Sequence, residues 1–247
     1  MTLPVHWVES LAGVGPGDLV ELEGDEAHHA VAVRRLREGE SLVLTDGAGT
    51  TLTGVVRATG KRRLTVEAGD VVTVPEPLPR VTVVQALPKG DRGELAVEVL
   101  TEIGVAHIVP WAASRSVAVW RGERAEKSLA RWRTTAREAA KQSRRAWFPL
   151  VEPMAATPDV CRLAGAADLA VVLHEDAPTA LAALSVPAHG SVVVVVGPEG
   201  GLTDDEVTAF GDAGAHAVRL GDEVLRTSTA GVAAVAALLA QTGRWAT

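Results

Sequence analysis

The sequence predicts an α/β protein in two parts, a small all-β domain followed by a parallel sheet with helices on both faces. Three observations carry this reading. Val74-Pro75-Glu76-Pro77-Leu78-Pro79 places three prolines in five residues, which fix φ and withhold backbone donors, so neither a helix nor a central strand continues through it. Before it, short apolar runs are separated by turn signals. After it, continuous apolar runs alternate with stretches of helical periodicity, the pattern of strands buried on both faces. Within 247 residues, 47% hydrophobic and 22% charged, there is enough apolar side chain for sizeable cores, and wholesale disorder is excluded. The expected division is 1–74, a linker at 75–79, and 80–247.

In the first part, Leu19–Leu22, Ser41–Thr45, Thr51–Ala58 and Arg62–Glu67 read as strands. Turn signals at Asp46-Gly47 and Ala68-Gly69-Asp70 separate them, giving a small barrel or sandwich. One helix interrupts, with Asp25 placed to cap it and Ala27, Ala30, Val31 and Val33 on its apolar side. After the linker, Val81–Ala86 reads as a buried strand and Gly93–Ile103 as a helix stopped by Gly104. His107–Trp111 is a strand. Glu126–Arg145 is a helix with Leu129, Trp132, Ala136 and Ala139-Ala140 on one face and Arg133, Arg137, Lys141 and Arg144 on another. Leu169–Leu173 and the all-valine Val192–Val196 are strands. Thr203–Gly211 is a helix whose acidic first turn suits its dipole. Ala217–Leu220 and Ala230–Gln241 complete the pattern as strand and helix.

Composition excludes several classes. A single cysteine, Cys161, rules out a disulfide framework and a Cys-rich zinc site. The start, MTLPVHWVES, has neither a basic nor an apolar signal-peptide region, and Val192–Val196 and Gly231–Ala240 are too short to span a bilayer, so a soluble cytoplasmic protein is expected. His28 and His29 are adjacent and diverge by about 100° on a helix. His174 and Glu175 lack further ligands at metal spacing, so no metal is expected. No Gly-x-Ser-x-Gly elbow is present, and Cys161 sits in an unremarkable Val-Cys-Arg-Leu setting. The net charge of −7 argues mildly against a nucleic-acid partner, but the charge is unevenly spread. Residues 114–145 carry ten basic side chains against three acidic, a stripe able to hold phosphates or, equally, a solvated helix face.

Ligands of open α/β sheets sit beyond the carboxyl ends of the strands. Three such loops stand out: Leu173-His174-Glu175-Asp176, Gly197-Pro198-Glu199-Gly200-Gly201, and Leu220-Gly221-Asp222-Glu223-Val224-Leu225-Arg226-Thr227. The second permits close backbone approach and positive φ before a helix. It has neither the Gly-Lys-Ser/Thr of a phosphate loop nor the glycine spacing of a dinucleotide fingerprint. A purely structural strand-to-helix turn is the plain alternative. Arg226 stands at the ligand end of the sheet, beside Thr227 and Ser228, either of which could cap the last helix.

The ordered motifs resemble the RsmE family of the SPOUT superfamily. They include Glu26-Ala27-His28-His29 with Val33-Arg34-Arg35-Leu36-Arg37, and Leu87-Pro88-Lys89-Gly90-Asp91-Arg92 with Thr101-Glu102-Ile103-Gly104-Val105. They continue through Ser114-Arg115-Ser116, Arg131-Trp132 and Glu138-Ala139-Ala140-Lys141-Gln142-Ser143-Arg144-Arg145. The last are Gly197-Pro198-Glu199-Gly200-Gly201 and Leu225-Arg226-Thr227-Ser228-Thr229-Ala230. The resemblance implies a PUA-like β-barrel that binds RNA, then a SPOUT-type parallel-sheet domain with a C-terminal trefoil knot. It implies a homodimer that uses S-adenosylmethionine to methylate uridine N3 in 16S ribosomal RNA of the small subunit. Carried onto this sequence, the cofactor site is Leu173, His174, Glu175, Gly197, Pro198, Glu199, Gly200, Leu220, Val224, Leu225 and Thr229. Arg226 is the catalytic candidate. Ser228 stands where many relatives have Glu and is left out.

Uridine N3 must lose a proton before attack, and a fixed guanidinium suits the charge that develops, so Arg226 is expected to contact the uracil or to stabilise the cofactor carboxylate. No general base is identified; Glu199 could serve, or could hold its loop by accepting backbone N–H groups. The basic side chains Arg34, Arg35, Arg37, Arg115, Arg121, Arg124, Arg131, Arg133, Arg137, Lys141, Arg144 and Arg145 are assigned to RNA phosphates. Two other readings remain: a related enzyme acting on another RNA such as a transfer RNA ribose, and a non-catalytic RNA-binding assembly protein. A nucleotide hydrolase is disfavoured by the missing phosphate loop.

Overall fold

A computed structural model describes residues 3–245. The chain divides into two compact units. One comprises residues up to Glu76 together with Ala140–Phe148, and the other comprises Pro77–Ala139 and the chain from Pro149 onward. The return of 140–148 to the first unit is not signalled by any break in the sequence.

The first unit is built on five strands: β1 (Val5–Trp7), β2 (Leu19–Glu23), β3 (Ser41–Thr45), β4 (Thr50–Thr59) and β5 (Arg63–Thr73). Their hydrogen-bonded order is β1-β3-β4-β5-β2, antiparallel except for the parallel β1–β3 pair. Leu22, Leu42, Leu44, Leu52, Val56, Leu64 and Val66 alternate along the strands onto one buried face. Ala68-Gly69-Asp70 is not a turn. β5 runs through it beside β4, with the register shifting at Leu52/Gly54, as a bulge allows. The helix after β2 is a short α1 (Gly24–His28) continued by a π-helical turn, His29–Val33. Asp25 does not cap it; Glu23 occupies the cap position, and Asp25 pairs with Arg62 at 2.6 Å. Ala27 and Ala30 are buried on the sheet, while Val33 is exposed.

Residues 140–148 are fastened to this sheet by their backbone and by two rings. Ala146 O accepts the Gly49 N–H, Phe148 N–H donates to Gly47 O, and Trp147 Nε1 donates to Val74 O at 2.9 Å. Lys141 departs from its expected role as an exposed phosphate ligand. It is 8% exposed, and its ammonium lies 3.0 and 3.1 Å from the two Glu26 carboxylate oxygens. Glu26 also accepts from the Trp7 N–H and contacts His6 Nδ1 at 3.1 Å. Burial alone would raise the Glu26 carboxyl, but the His6 and Lys141 partners and the Trp7 N–H carry it down from 4.5 to about 2. Helical periodicity placed Lys141 on the arginine face; only the return of this segment to the first unit shows that its ammonium is taken.

The second unit carries an all-parallel sheet of β6 (Arg80–Ala86), β7 (His107–Trp111), β8 (Leu150–Val151), β9 (Leu169–Leu173), β10 (Ser191–Val196) and β11 (His216–Val218). The order is β11-β9-β10-β6-β7-β8. The helices are α2 (Arg92–Ile103), α3 (Glu123–Gln142), α4 (Thr157–Ala166), α5 (Asp204–Asp212) and α6 (Thr227–Leu239). Val192, Val194 and Val196 bury against α2, α3 and α6, with Leu100, Trp132 and Leu238 among their neighbours in that core. Val193 and Val195 bury on the opposite face with Val160 of α4 and Phe210 of α5. This two-sided burial is why β10 reads as an unbroken valine run. α2 ends at Gly104, which adopts φ 101°. α3 begins and ends three residues before its expected bounds, and Arg144 follows at φ 59°. α6 begins at Thr227, ahead of its expected start, because Arg226 is its N-cap residue; neither Thr227 nor Ser228 caps it, and both are buried.

From β6 the chain steps outward to β7 and β8, then returns on the other side as β9 and β10. The switch of direction therefore falls between β6 and β10, where a crevice opens beyond the strand ends.

Candidate active-site cavity

A cavity of about 880 Å³ occupies that crevice, toward the upper end of ordinary ligand pockets at about 300–1,000 Å³. The three loops singled out above form its walls. Leu173 ends β9 and His174 and Glu175 follow it, Gly197, Pro198, Glu199 and Gly200 follow β10, and Leu220, Val224, Leu225 and Arg226 follow β11. Thr229 is not in the wall; its N–H and hydroxyl both donate to the Arg226 carbonyl, at 2.9 and 3.3 Å. Thr227 and Ser228 do line the cavity, each more than nine-tenths buried.

Each loop is held by identifiable contacts. His174 Nδ1 accepts the Asp176 N–H at 3.2 Å, which leaves the ring proton on Nε2. In the glycine loop Gly201 adopts φ +72°, and Gly201 N–H donates to Pro198 O at 2.9 Å. A Cβ on Gly200 would lie 3.0 Å from both the Cβ and the carbonyl oxygen of Arg115, so the approach of the two loops requires glycine there. The Arg115 guanidinium completes this contact, donating to Leu202 O at 3.1 Å and Gly200 O at 3.4 Å. Glu199 Oε1 accepts the Lys89 N–H at 3.1 Å, the loop-holding role open to it from sequence.

Glu206, in the first turn of α5, is buried and binds on two sides. Oε2 accepts the Thr203 N–H and hydroxyl, and Oε1 accepts the Ser114 N–H at 2.8 Å. Burial would raise its carboxyl, but these N–H donors from Ser114 and Thr203 hold it below the usual carboxylate range. The loops after β7 and β10 are thereby tied together. Gln85, fully buried at the end of β6, donates from Nε2 to Ala86 O at 3.0 Å and Thr227 O at 3.2 Å, joining β6 to the start of α6.

The basic set is dispersed. In the first unit Arg34, Arg35, Arg37 and Arg144 are exposed and Arg145 is half-buried. In the second unit Arg115 clamps the glycine loop, Arg131 pairs with Glu94 at 3.1 Å, and Arg133 Nε donates to Val151 O at 3.1 Å. Arg137 is half-buried, and Arg121 and Arg124 are exposed. Among the cavity residues outside the sequence-based site are Lys89, Arg92 and Ser228. Lys89 lies in the loop that follows β6, the same position that marked the other loops, and Arg92 opens α2. Among the described residues, no three His, Cys, Asp or Glu side chains are grouped to hold a metal, and no helix is long and apolar enough to cross a membrane.

A family model described as an RNA methyltransferase domain matches residues 74–239, and one described as an RNA methyltransferase PUA domain matches residues 22–68. The chain is 45% identical over 251 aligned residues to the ribosomal RNA small subunit methyltransferase E of Mycobacterium bovis, covering 99% of this chain and 94% of that one. It is 31% identical to the protein of the same name from Bacillus subtilis, covering 90% of each. Among solved structures, the Neisseria gonorrhoeae ribosomal RNA small subunit methyltransferase E bound to S-adenosylmethionine superposes with a TM-score of 0.85 at 29% identity, covering 97% of this chain and 98% of that one. A Legionella pneumophila protein with bound S-adenosylmethionine gives 0.89 at 27%, covering 98% and 99%.

Proposed function

This chain belongs to the ribosomal RNA small subunit methyltransferase E family, and on that premise we propose that it transfers the methyl group of S-adenosylmethionine to N3 of a uridine in 16S ribosomal RNA. The observation that carries the proposal is the meeting of the β9, β10 and β11 loops around one cavity at the switch point of the sheet.

The cavity fits S-adenosylmethionine on its own chemistry. Backbone groups of the glycine loop and of Leu220–Leu225 suit an adenine held by main-chain hydrogen bonds. Glu175, Asp176 and Glu223 offer negative charge to a ligand whose sulfonium and amino groups are cationic. Thr227 and Ser228 line the same space. When bound, the cofactor supplies an activated methyl on a neutral leaving group. The chain must supply alignment and charge. The clamps made by Arg115, Glu199, Glu206 and Gln85 keep the loops in register, which fixes the approach of the base to the donor. Arg226, exposed at the rim as the N-cap residue of α6, steadies the negative charge on the uracil once the N3 proton has passed to solvent water. Glu199 acts as a loop tether rather than as the base.

RNA phosphates are met on the first unit by Arg34, Arg35, Arg37, Arg144 and Arg145. On the second unit they are met by Arg121 and Arg124, with the parts of Arg131, Arg133 and Arg137 left by their protein contacts. Lys141 is left out, since its ammonium is buried on Glu26. A homodimer, a C-terminal knot and a cytoplasmic location belong to the same reading. The test is methyl transfer from labelled S-adenosylmethionine into purified small-subunit RNA, with transfer RNA as comparator. The proposal expects label in the former alone; label in the latter alone would refute it.

A further inference from the structure

The charged side chains around the cavity are unevenly placed. Glu175, Asp176 and Glu223 come from the loops after β9 and β11, at one end of the strand order. Lys89, Arg92 and Arg115 come from the loops after β6 and β7, toward the other end, with the glycine loop of β10 between them. Two cations, Arg219 and Arg226, also stand after β11, and Glu199 on the glycine loop accepts the Lys89 N–H. Arg219 faces Asp222 at 3.5 Å, Asp204 opens α5, and Arg226 is the catalytic candidate. On the basic side the cations are not equivalent. Arg115 is committed to the carbonyls of Gly200 and Leu202. Lys89 and Arg92 make no side-chain hydrogen bond or ion pair among the described residues.

We infer that Lys89 and Arg92 form a phosphate-gripping pair inside the active-site cavity, holding the backbone next to the target nucleotide across from the cofactor. This rests on the methyltransferase reading above and assigns the second occupant of the same cavity. The anchorage supports it. The Lys89 N–H is tied to Glu199, so the side chain starts from a fixed point on the wall, and Gly90 turns the chain at φ +65° into α2, where Arg92 is the first helical residue. Among the described residues neither the Lys89 ammonium nor the Arg92 guanidinium pairs with a carboxylate, since Glu199 accepts only the Lys89 backbone N–H, while the chain as a whole is acidic with a net charge of −7. Two uncommitted cations at one wall of a ligand cavity are suited to an anion that arrives with the substrate. Unlike the arginines outside the cavity, which meet phosphates anywhere along the RNA, this pair acts at the nucleotide being modified.

The experiment measures binding of purified small-subunit ribosomal RNA between 50 and 200 mM salt, and calorimetric binding of S-adenosylmethionine, for the wild type, Lys89→Ala/Arg92→Ala, and Lys89→Arg/Arg92→Lys. Each phosphate contact on a single strand contributes about 0.7 to the salt slope, so the alanine pair flattens the slope by about 1.4, and its affinity falls about sevenfold less than the wild type's across that range. The charge-conserving pair keeps the wild-type slope, and cofactor affinity changes less than twofold in both. An unchanged slope in the alanine pair overturns the inference, as does a tenfold loss of cofactor affinity with RNA binding intact, which would place these cations on the cofactor. A wild type that binds no small-subunit RNA removes the methyltransferase reading itself, a failure distinct from an unchanged slope.

Discussion

Replacing Lys141 with Met separates two roles that its sequence position confounds. Were the ammonium an RNA ligand, the variant would lose affinity and salt dependence while the fold stayed intact. The structure instead buries it against Glu26, with 8% and 16% of the two side chains exposed. Removing one partner of a buried pair leaves an uncompensated charge and costs about 3–5 kcal/mol. His6 Nδ1 and the Trp7 N–H still face the carboxylate, which places the expected loss near 3 kcal/mol. Acid titration offers a second reading of the same pair. The folded Glu26 carboxyl lies at about 2, below its ordinary 4.5. Its stabilisation is therefore complete above about pH 4.5 and is lost as the pH falls toward 2; a shift of this size is worth about 3 kcal/mol. Without Lys141 the folded value rises and the window of loss narrows toward 4.5. Chemical denaturation of the wild type, Lys141→Met and Glu26→Gln/Lys141→Met at pH 7 and pH 4 measures this. The single variant is expected to lose about 3 kcal/mol at pH 7, with much of it recovered in the double variant, and the RNA salt slope is expected to stay unchanged. A stable single variant with a flattened salt slope would refute the reasoning and return Lys141 to the RNA interface.

Three further outcomes are expected. Arg226→Ala lowers the methyl-transfer rate by about 10²–10³-fold, the usual effect of deleting one stabiliser of developing charge, while cofactor affinity by calorimetry stays within a few-fold. Arg115→Ala frees the Gly200 and Leu202 carbonyls, so cofactor affinity falls about tenfold with a smaller change in unfolding free energy, read by titration and denaturation. Gly200→Val sets a branched side chain against Arg115, whose Cβ and carbonyl oxygen already lie 3.0 Å from the first added carbon, and abolishes cofactor binding measured by calorimetry.

Much of the second unit was legible in the sequence because its strands are buried on both faces. His107–Trp111 and Leu169–Leu173 are recovered to the residue, and the valine strand differs only by Ser191. The elements that escaped are those with weak local signals. β1 and β8 have three and two residues, and α4 is a ten-residue helix whose buried side rests on Val160 and Ala164 alone. Gly69 suggested a turn because composition does not distinguish a turn from a bulge; the pairing of β4 with β5 decides it. In the site, strand-end position found the three loops, since ligand crevices follow from topology. It did not show that Lys141 is buried, that Arg115 serves a carbonyl clamp, or that Glu206 and Gln85 brace the walls. Each of those depends on a partner far away in the chain: Glu26, Leu202, Ser114 and Thr227.

The destination of the methyl group is the most direct test. After incubation of the protein with S-adenosylmethionine and purified small-subunit RNA, mass spectrometry of the digested nucleosides should find methyl on uracil N3, and none when Arg226 is replaced by Ala and the reaction is stopped early. Methyl on a ribose or on another base, or unmodified RNA from a protein that binds both ligands, would contradict it.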